Sequence, residues 1–361
     1  MKHFLINLAK FLPIVIAVAA VNVIVDPANI YVKGYEEEMA DLLLAGKNVA
    51  GMTNYDERIL QEDIIQKEKI CPDIIIVGSS RVMIISDESI NIENYRNHGM
   101  SGAGIWDYIG ILGIYEAEDK MPEQIIMGLD PWILNENNGD ARYQSLAGYI
   151  DEFKETIRGT EKQQEGRKSL PSFEKELQLF SIPYFQNSVK KLLKDPKSVL
   201  KLNGKKKFYG TEKRIVEDAI YYTDGSMESN REYRERDVET VNADAKGYVT
   251  GKVYQLENYD SLSEINCDML ERTIDYLQDK GVQVTFFLPP YHPFVYDYLK
   301  NNEKYKMVLA AEIYFRDLAA KKEIDVYGSY DPKELGCTEE DFLDGMHMKR
   351  ERISNSWKKV F

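Results

Sequence analysis

The run Pro72-Asp73-Ile74-Ile75-Ile76-Val77-Gly78-Ser79-Ser80-Arg81 constrains this chain more than any other stretch. Four consecutive β-branched apolar residues, Ile74 to Val77, read as a strand buried on both faces in the middle of a parallel sheet. The strand stops abruptly at Gly78-Ser79-Ser80. In open α/β sheets ligands bind at the loops leaving the carboxyl ends of the strands, so small polar residues there are well placed for chemistry. The alternative use of Ser79 or Ser80 is as a cap for the next helix. Arg81 reads as a contact to substrate or to a carboxylate, and equally as a helix-surface salt bridge.

A second stretch, Phe342-Leu343-Asp344-Gly345-Met346-His347-Met348, places a carboxylate three residues before one of only four histidines. A serine hydroxyl is a poor nucleophile until a base takes its proton. The base works best when a carboxylate fixes its tautomer and stabilises the imidazolium. Asp344-x-x-His347 on one turn offers both groups.

Together these blocks resemble the SGNH/GDSL hydrolase superfamily, in which a Gly-Asp-Ser block after the first strand carries the nucleophile and a late Asp-x-x-His block carries base and orienter. The resemblance implies Ser80 as nucleophile, His347 as base and Asp344 as its orienter. Asn97-His98-Gly99-Met100-Ser101-Gly102 is similar to the family's Asn-x-x-x-Ser-Gly block, which implies an oxyanion hole formed by the N–H groups of Ser80 and Gly102. A donor of this kind contributes roughly 3–4 kcal/mol to the transition state. A glycine at 102 also suits a tight turn before the next helix.

One block departs from the pattern. The family's third block offers an Asn side chain to the oxyanion, whereas this chain has Gly128-Leu129-Asp130-Pro131-Trp132. An ionised carboxylate cannot donate a hydrogen bond. Asp130 therefore has another role, is held protonated, or leaves donation to another group. Gly-Ser-Ser-Arg and Asp-Pro-Trp together resemble the membrane-anchored SGNH-like proteins that accompany membrane-bound O-acyltransferases, among them the alginate O-acetylation proteins and the teichoic-acid D-alanylation protein. The likeness covers residues 70–135 and 280–350.

Residues Phe4 to Val25 form an apolar stretch broken by Asn7, Lys10, Pro13 and Asn22. A helix of that length spans a hydrocarbon core of roughly 30 Å. Lys2 and Lys10 on the amino side, with Asp26 and Glu36-Glu37-Glu38 after it, place the amino terminus in the cytoplasm and the rest outside. Ala17-Val18-Ala19 offers the alternative of a cleaved signal peptide and a secreted product, but the segment stays apolar through Val25. Both readings export the domain. The net charge of −14 argues against nucleic acid as a partner. Three cysteines, Cys71, Cys267 and Cys337, are few and odd in number for an exported chain, and no cluster has zinc spacing. They read as small buried hydrophobes, with no disulfide framework, metal or cofactor expected.

With 361 residues and 43% hydrophobic content the chain has ample core. Strands at 73–78, 95–98, 124–129, 282–288 and 324–327 alternate with helices at 102–117, 261–280 and 303–322. This alternation predicts an α/β fold with a parallel sheet between helices. The resemblance makes it a three-layer α/β/α sandwich of SGNH type, behind an N-terminal transmembrane helix. The domains expected are an anchor or signal segment at 1–26, a stalk with lead-in helices at 27–69, and a catalytic domain at 70–361 interrupted by an insertion at about 136–260. Within the insertion, helices are expected at 145–158 and 173–194. It reads as a lid or substrate platform, or as a plain surface excursion. Its basic runs, Lys205–Lys207 and Arg231 to Arg236, suit a polyanionic glycan or are simply solvated. Ser261 and Glu264 form a capping-box pattern for the 261–280 helix. Tyr291 and His292, in the Pro289-Pro290-Tyr291-His292-Pro293 loop, reach the same sheet edge as Ser80. His292 lacks a nearby carboxylate and reads as structural or substrate-positioning rather than as the base. Ser79, Arg81, Asn97, Asp130 and Trp132 are the other candidates for contact with substrate or with the triad.

The function implied by the resemblance is an extracytoplasmic serine-dependent O-acyl(acetyl)transferase acting on a surface or secreted polysaccharide or a teichoic acid. Its implied partners are the membrane and a multi-pass membrane-bound O-acyltransferase. The alternatives are an exported carbohydrate or lipid esterase with the same triad, and an idle SGNH-fold scaffold that binds a polymer or an acyltransferase.

Overall fold

The computed structural model describes residues 12–25, 34–90, 92–159, 182–194 and 208–357. In chain order its strands are β1 (Asn48–Ala50), β2 (Ile74–Gly78), β3 (Tyr95–Gly99), β4 (Gln124–Gly128), β5 (Tyr209–Thr211), β6 (Ile220–Tyr221), β7 (Met227–Glu228), β8 (Gln283–Leu288) and β9 (Asp325–Gly328). Five of them form a parallel sheet in the order β3-β2-β4-β8-β9. The helices Ile105–Ala117, Glu264–Asp279 and Lys306–Lys322 precede β4, β8 and β9 respectively.

Strand period explains the burial. Ile75, Val77, Ile125, Met127 and Phe286 join one core together with Tyr108, Leu112, Leu270 and Phe315 from those helices. Ile76, Ile126 and Phe287 point the other way, into a core with Val82, Val241, Phe342 and Ile353. With both faces covered, β2 has no position for a polar side chain, which is why it reads as an unbroken Ile/Val run. Each such side chain contributes roughly 1.5–3 kcal/mol on burial.

Strand order also locates the site. From β2 the chain leaves to β3 on one side and returns past β2 to β4 on the other, so the carboxyl ends of β2 and β4 flank a topological switch point. Ser80 lies two residues beyond β2, and Asp130 two beyond β4.

The lead-in is folded back on the domain, as read from the sequence, and it also pairs with short strands of the insertion that the sequence did not show. Strand β1, from the lead-in, sits between β5 and β6 of the insertion in an antiparallel sheet ordered β5-β1-β6-β7. Tyr35, Met39, Leu43 and Val49 share a core with Phe208 and Tyr221. The segment read as a stalk is thus packed into one body with part of the insertion. These strands are two or three residues long, too short for their period to show in the sequence.

Other elements need smaller corrections. The helix Glu264–Asp279 is capped by Ser263, whose Oγ accepts the Asn266 N–H at 3.3 Å, and not by Ser261. A helix not anticipated, Pro293–Lys300, follows the Tyr291-His292 loop. Of the two helices expected in the insertion, Ala147–Ile157 and Ile182–Lys194 are observed, and Arg231–Arg234 and Val238–Tyr248 were not anticipated; 173–181 and Lys205–Lys207 lie outside the described residues. The three cysteines are unpaired, with Cys337 buried but Cys71 and Cys267 only half-buried. Of the apolar N-terminal stretch, Leu12–Val25 is a helix and residues 4–11 lie outside the described residues. Among the described residues no helix is long and apolar enough to cross a membrane. Asn22, which interrupts that stretch, accepts a hydrogen bond from Ser188 of the Ile182–Lys194 helix at 3.0 Å.

Candidate active site

The turn after β2 folds back over the ends of the strands. Val82 lies across Gly78 and Gly128, where an added Cβ would come within 2.6 and 2.3 Å of its methyl groups. Only glycines allow this approach, and they set the height of Ser80 above the sheet. Asn97, fully buried, pins the same turn: its Nδ2 donates to the carbonyls of Val82 and Ile85 at 2.8 and 2.9 Å, and its Oδ1 accepts the Gly99 N–H at 2.7 Å. Every polar atom of Asn97 is thereby used inside the protein, so it braces the turn and has none left for substrate. Ser79 is also buried, its Oγ accepting the Arg81 N–H at 3.1 Å. Of the two serines, Ser80 is the one on the cavity.

At the other end of the chain, Phe342 bridges to Met348 and the Leu343 N–H donates to the His347 carbonyl at 2.8 Å, closing a tight loop. Asp344 Oδ1 accepts the N–H groups of Met346 and His347, each at 2.8 Å. Its Oδ2 accepts from His347 Nδ1 at 2.8 Å. The opposite ring nitrogen, Nε2, stands 2.8 Å from Ser80 Oγ. With Nδ1 donating to the carboxylate, Nε2 is left as the acceptor for the serine proton. Burial pushes the Asp344 carboxyl up, but the charge and hydrogen bond of His347, the Tyr233 hydroxyl and the Met346 N–H outweigh it and hold the group well below the usual carboxylate range.

Tyr233 had no signal in the sequence beyond an aromatic among charges. Its hydroxyl donates to Asp344 Oδ2, the oxygen that also holds His347, and it reaches there from the short helix Arg231–Arg234 of the insertion. The Arg236 guanidinium lies 4.1 Å from its ring. A phenol on that oxygen spreads its negative charge and so weakens its hold on an imidazolium. On the reading of His347 as base, Tyr233→Phe is expected to change kcat/KM for a chromogenic acyl ester about threefold, for a hydrogen-bond change of about 0.7 kcal/mol. An unchanged kcat/KM, measured on the folded variant, would sink this role.

Arg81 makes the carboxylate contact that its position suggested, as a buried pair and not as a helix-surface salt bridge. Fully enclosed, it donates to Asp130 Oδ1 at 2.6 Å, to the Met346 carbonyl at 3.1 Å and to the Pro289 carbonyl at 2.5 Å, and it lies 4.1 Å from the Tyr291 ring. One guanidinium thus ties the loops after β2, β4 and β8 to the residue before His347. Asp130 is its counter-ion, which explains a carboxylate where an amide was expected. Trp132 donates from Nε1 to the Ala103 carbonyl at 3.1 Å, packing beneath the second block rather than facing substrate. His292 caps the helix Pro293–Lys300 through Nδ1, and its N–H donates to the Gly345 carbonyl at 3.1 Å. Burial lowers its pKa. It is a strut for the His347 loop, with no bond to Ser80.

Gly102 has φ +61°, and an added Cβ would strike Tyr254 Oη and Arg142 Nη2 at about 2 Å. Among the described residues no acceptor takes the N–H of Ser80 or of Gly102. The lead-in steadies this loop in a way the sequence did not reveal. Glu57 accepts the N–H and hydroxyl of Ser101 at 2.5 and 2.8 Å, while buried Arg58 binds Asp107 at 2.8 Å and the Ser101 carbonyl at 3.2 Å.

Ser80 and His347 open into a cleft of about 220 Å3 whose far wall is Met227, Glu228, Ser229, Tyr233 and Arg234 of the insertion. Fold and side chains together define an α/β protein with a hydrogen-bonded serine, histidine and aspartate at the switch point of a parallel sheet. No protein-family model matches this chain, and no curated protein matches it.

Proposed function

We propose that the chain is a serine-dependent acyltransferase of SGNH type, held outside the membrane on its N-terminal apolar segment and acylating a hydroxyl of a surface glycan or teichoic acid. The observation that carries the reading is the line Ser80 Oγ, His347 Nε2, His347 Nδ1, Asp344 Oδ2, with both polar gaps at 2.8 Å. His347 takes the Ser80 proton as Oγ attacks the acyl carbonyl. The N–H groups of Ser80 and Gly102 are the candidate donors to the resulting oxyanion. Collapse breaks the bond to the leaving group, which receives the proton from His347, and leaves an ester on Ser80. An acceptor hydroxyl then gives its proton to His347 as it attacks the ester carbonyl, and collapse breaks the bond to Ser80 Oγ, which takes the proton back from His347 and leaves the acyl group on the acceptor. Transfer is preferred to hydrolysis on the resemblance of the Gly-Ser-Ser-Arg and Asp-Pro-Trp blocks and on the apolar leader, and the pairing of Asp130 with Arg81 gives the altered third block a role that is compatible with a working site. Intact-mass analysis of the protein mixed with an activated acyl ester is expected to show one acyl group on Ser80. Its decay is expected to quicken when a polysaccharide acceptor is added; decay indifferent to acceptor would make the protein an esterase.

A further inference from the structure

We infer that the acyl group this site carries is an uncharged aliphatic chain longer than acetyl, and that an aminoacyl group is excluded; the inference rests on the acyl-serine reading above. An acyl group on Ser80 has to occupy the cleft that Ser80 lines. Its nearest walls follow from chain connectivity. Met83 and Ile84 lie three and four residues beyond Ser80 on the same turn, while Leu343 and Met348 directly flank the Asp344 to His347 loop. Met227 closes the chamber from the insertion, because its N–H donates to the Met83 carbonyl at 2.7 Å. Five apolar side chains, three of them adaptable thioethers, therefore line the cleft into which the Ser80 hydroxyl opens, beside its polar and charged wall. A cleft of about 220 Å3 has room for roughly seven water-sized groups at about 30 Å3 each. Acetyl takes up only about two of them.

The charges of the cleft decide against an ammonium. Four cations line it, Arg81, Arg234, Lys349 and Arg350, against two carboxylates, Glu228 and Glu351. Arg81 is already neutralised by Asp130, and Glu351 is on the exposed rim. Glu228 is the inner carboxylate, and both its oxygens are engaged. Oε1 pairs with Arg350 at 2.6 Å, while Oε2 accepts from Arg234 at 3.1 Å and from Tyr222 Oη at 2.9 Å. An α-ammonium on the acyl chain would lose water, find that carboxylate occupied and face two guanidiniums.

The test is a series of p-nitrophenyl esters with each rate divided by the ester's spontaneous hydrolysis and the Ser80→Ala background subtracted. From acetate to butyrate kcat/KM is expected to rise about fifteenfold, at roughly fourfold for each of the two buried methylenes. Isobutyryl and alanyl esters have nearly the same shape, and the alanyl ester is expected to be at least tenfold poorer. Met227→Trp, which fills the chamber, should cut hexanoate turnover far more than acetate turnover. The chain-length dependence of fluorophosphonate labelling on the unmodified protein reads the same pocket without any substitution. A reactive Ser80 that prefers acetate, or that treats alanyl and isobutyryl alike, overturns the inference and leaves the acyl-serine reading standing. A Ser80 inert to every ester and probe overturns that reading and the inference with it.

Discussion

On the proposed acyl-serine reading, replacing Ser80 by alanine is expected to lower turnover of a chromogenic acyl ester by a factor on the order of 10⁴ to 10⁶, as loss of a covalent nucleophile does. His347→Ala gives a loss of the same order, and the double variant is little worse than either. Groups that act as one unit, here joined by the 2.8 Å contact between Ser80 Oγ and His347 Nε2, are not additive. The serine hydroxyl makes no other hydrogen bond among the described residues, so its removal costs little stability and a kinetic loss is not a folding loss. Near-normal turnover by Ser80→Ala, measured on protein with an unchanged denaturation midpoint, would mean that the reacting atom is elsewhere.

Arg81→Met is expected to cost about 3–5 kcal/mol of stability, the usual result of leaving a buried charge without its partner. Asp130 has no exposed surface and its Oδ1 depends on the guanidinium 2.6 Å away. The double variant Arg81→Met, Asp130→Leu is expected to regain much of that loss, since removing both charges also removes both desolvation penalties. Urea titration of the four proteins measures the coupling, and a single variant within 1 kcal/mol of the unmodified chain would refute it. The pH dependence has a definite sign. Burial pushes the Asp130 carboxyl up and Arg81 opposes it. Without Arg81 the folded pKa rises further above the unfolded value of about 3.9. The single variant is then least impaired at low pH and loses stability as pH rises through that raised value. The proposed activity is expected to fall as well, because Arg81 also holds the Met346 carbonyl beside His347.

The roles of Glu57, Arg58 and Tyr233 change how the less regular parts of the chain are understood. The lead-in grips the Ser101-Gly102 loop, and the insertion both donates a hydroxyl to Asp344 and walls the cleft. Neither is an appendage to a finished site. The basic residues between Arg231 and Arg236 are largely committed to neighbours: Arg231 to Glu217 and Glu235, Arg234 to Glu228, Arg236 to Asp244. That favours a role in holding the wall of the cleft over a free polyanion-binding face.

Local pattern carried the parallel sheet, because a strand buried on both faces must be apolar at every position and a helix against it must repeat at 3.6 residues. It carried the pairing of Asp344 with His347 too, because three residues of separation on one tight turn bring the two side chains together whatever the rest of the chain does. Folding had to supply the rest. The 2.8 Å between Ser80 and His347 spans 267 residues of sequence, the Asp130 to Arg81 pair 49, and the Tyr233 to Asp344 bond 111. Contacts at such separations depend on strand order and on the path of irregular segments, which leave no period in the sequence. A carboxylate in the third block was visible from the start; that it answers a buried guanidinium could be learned only from the packed interior.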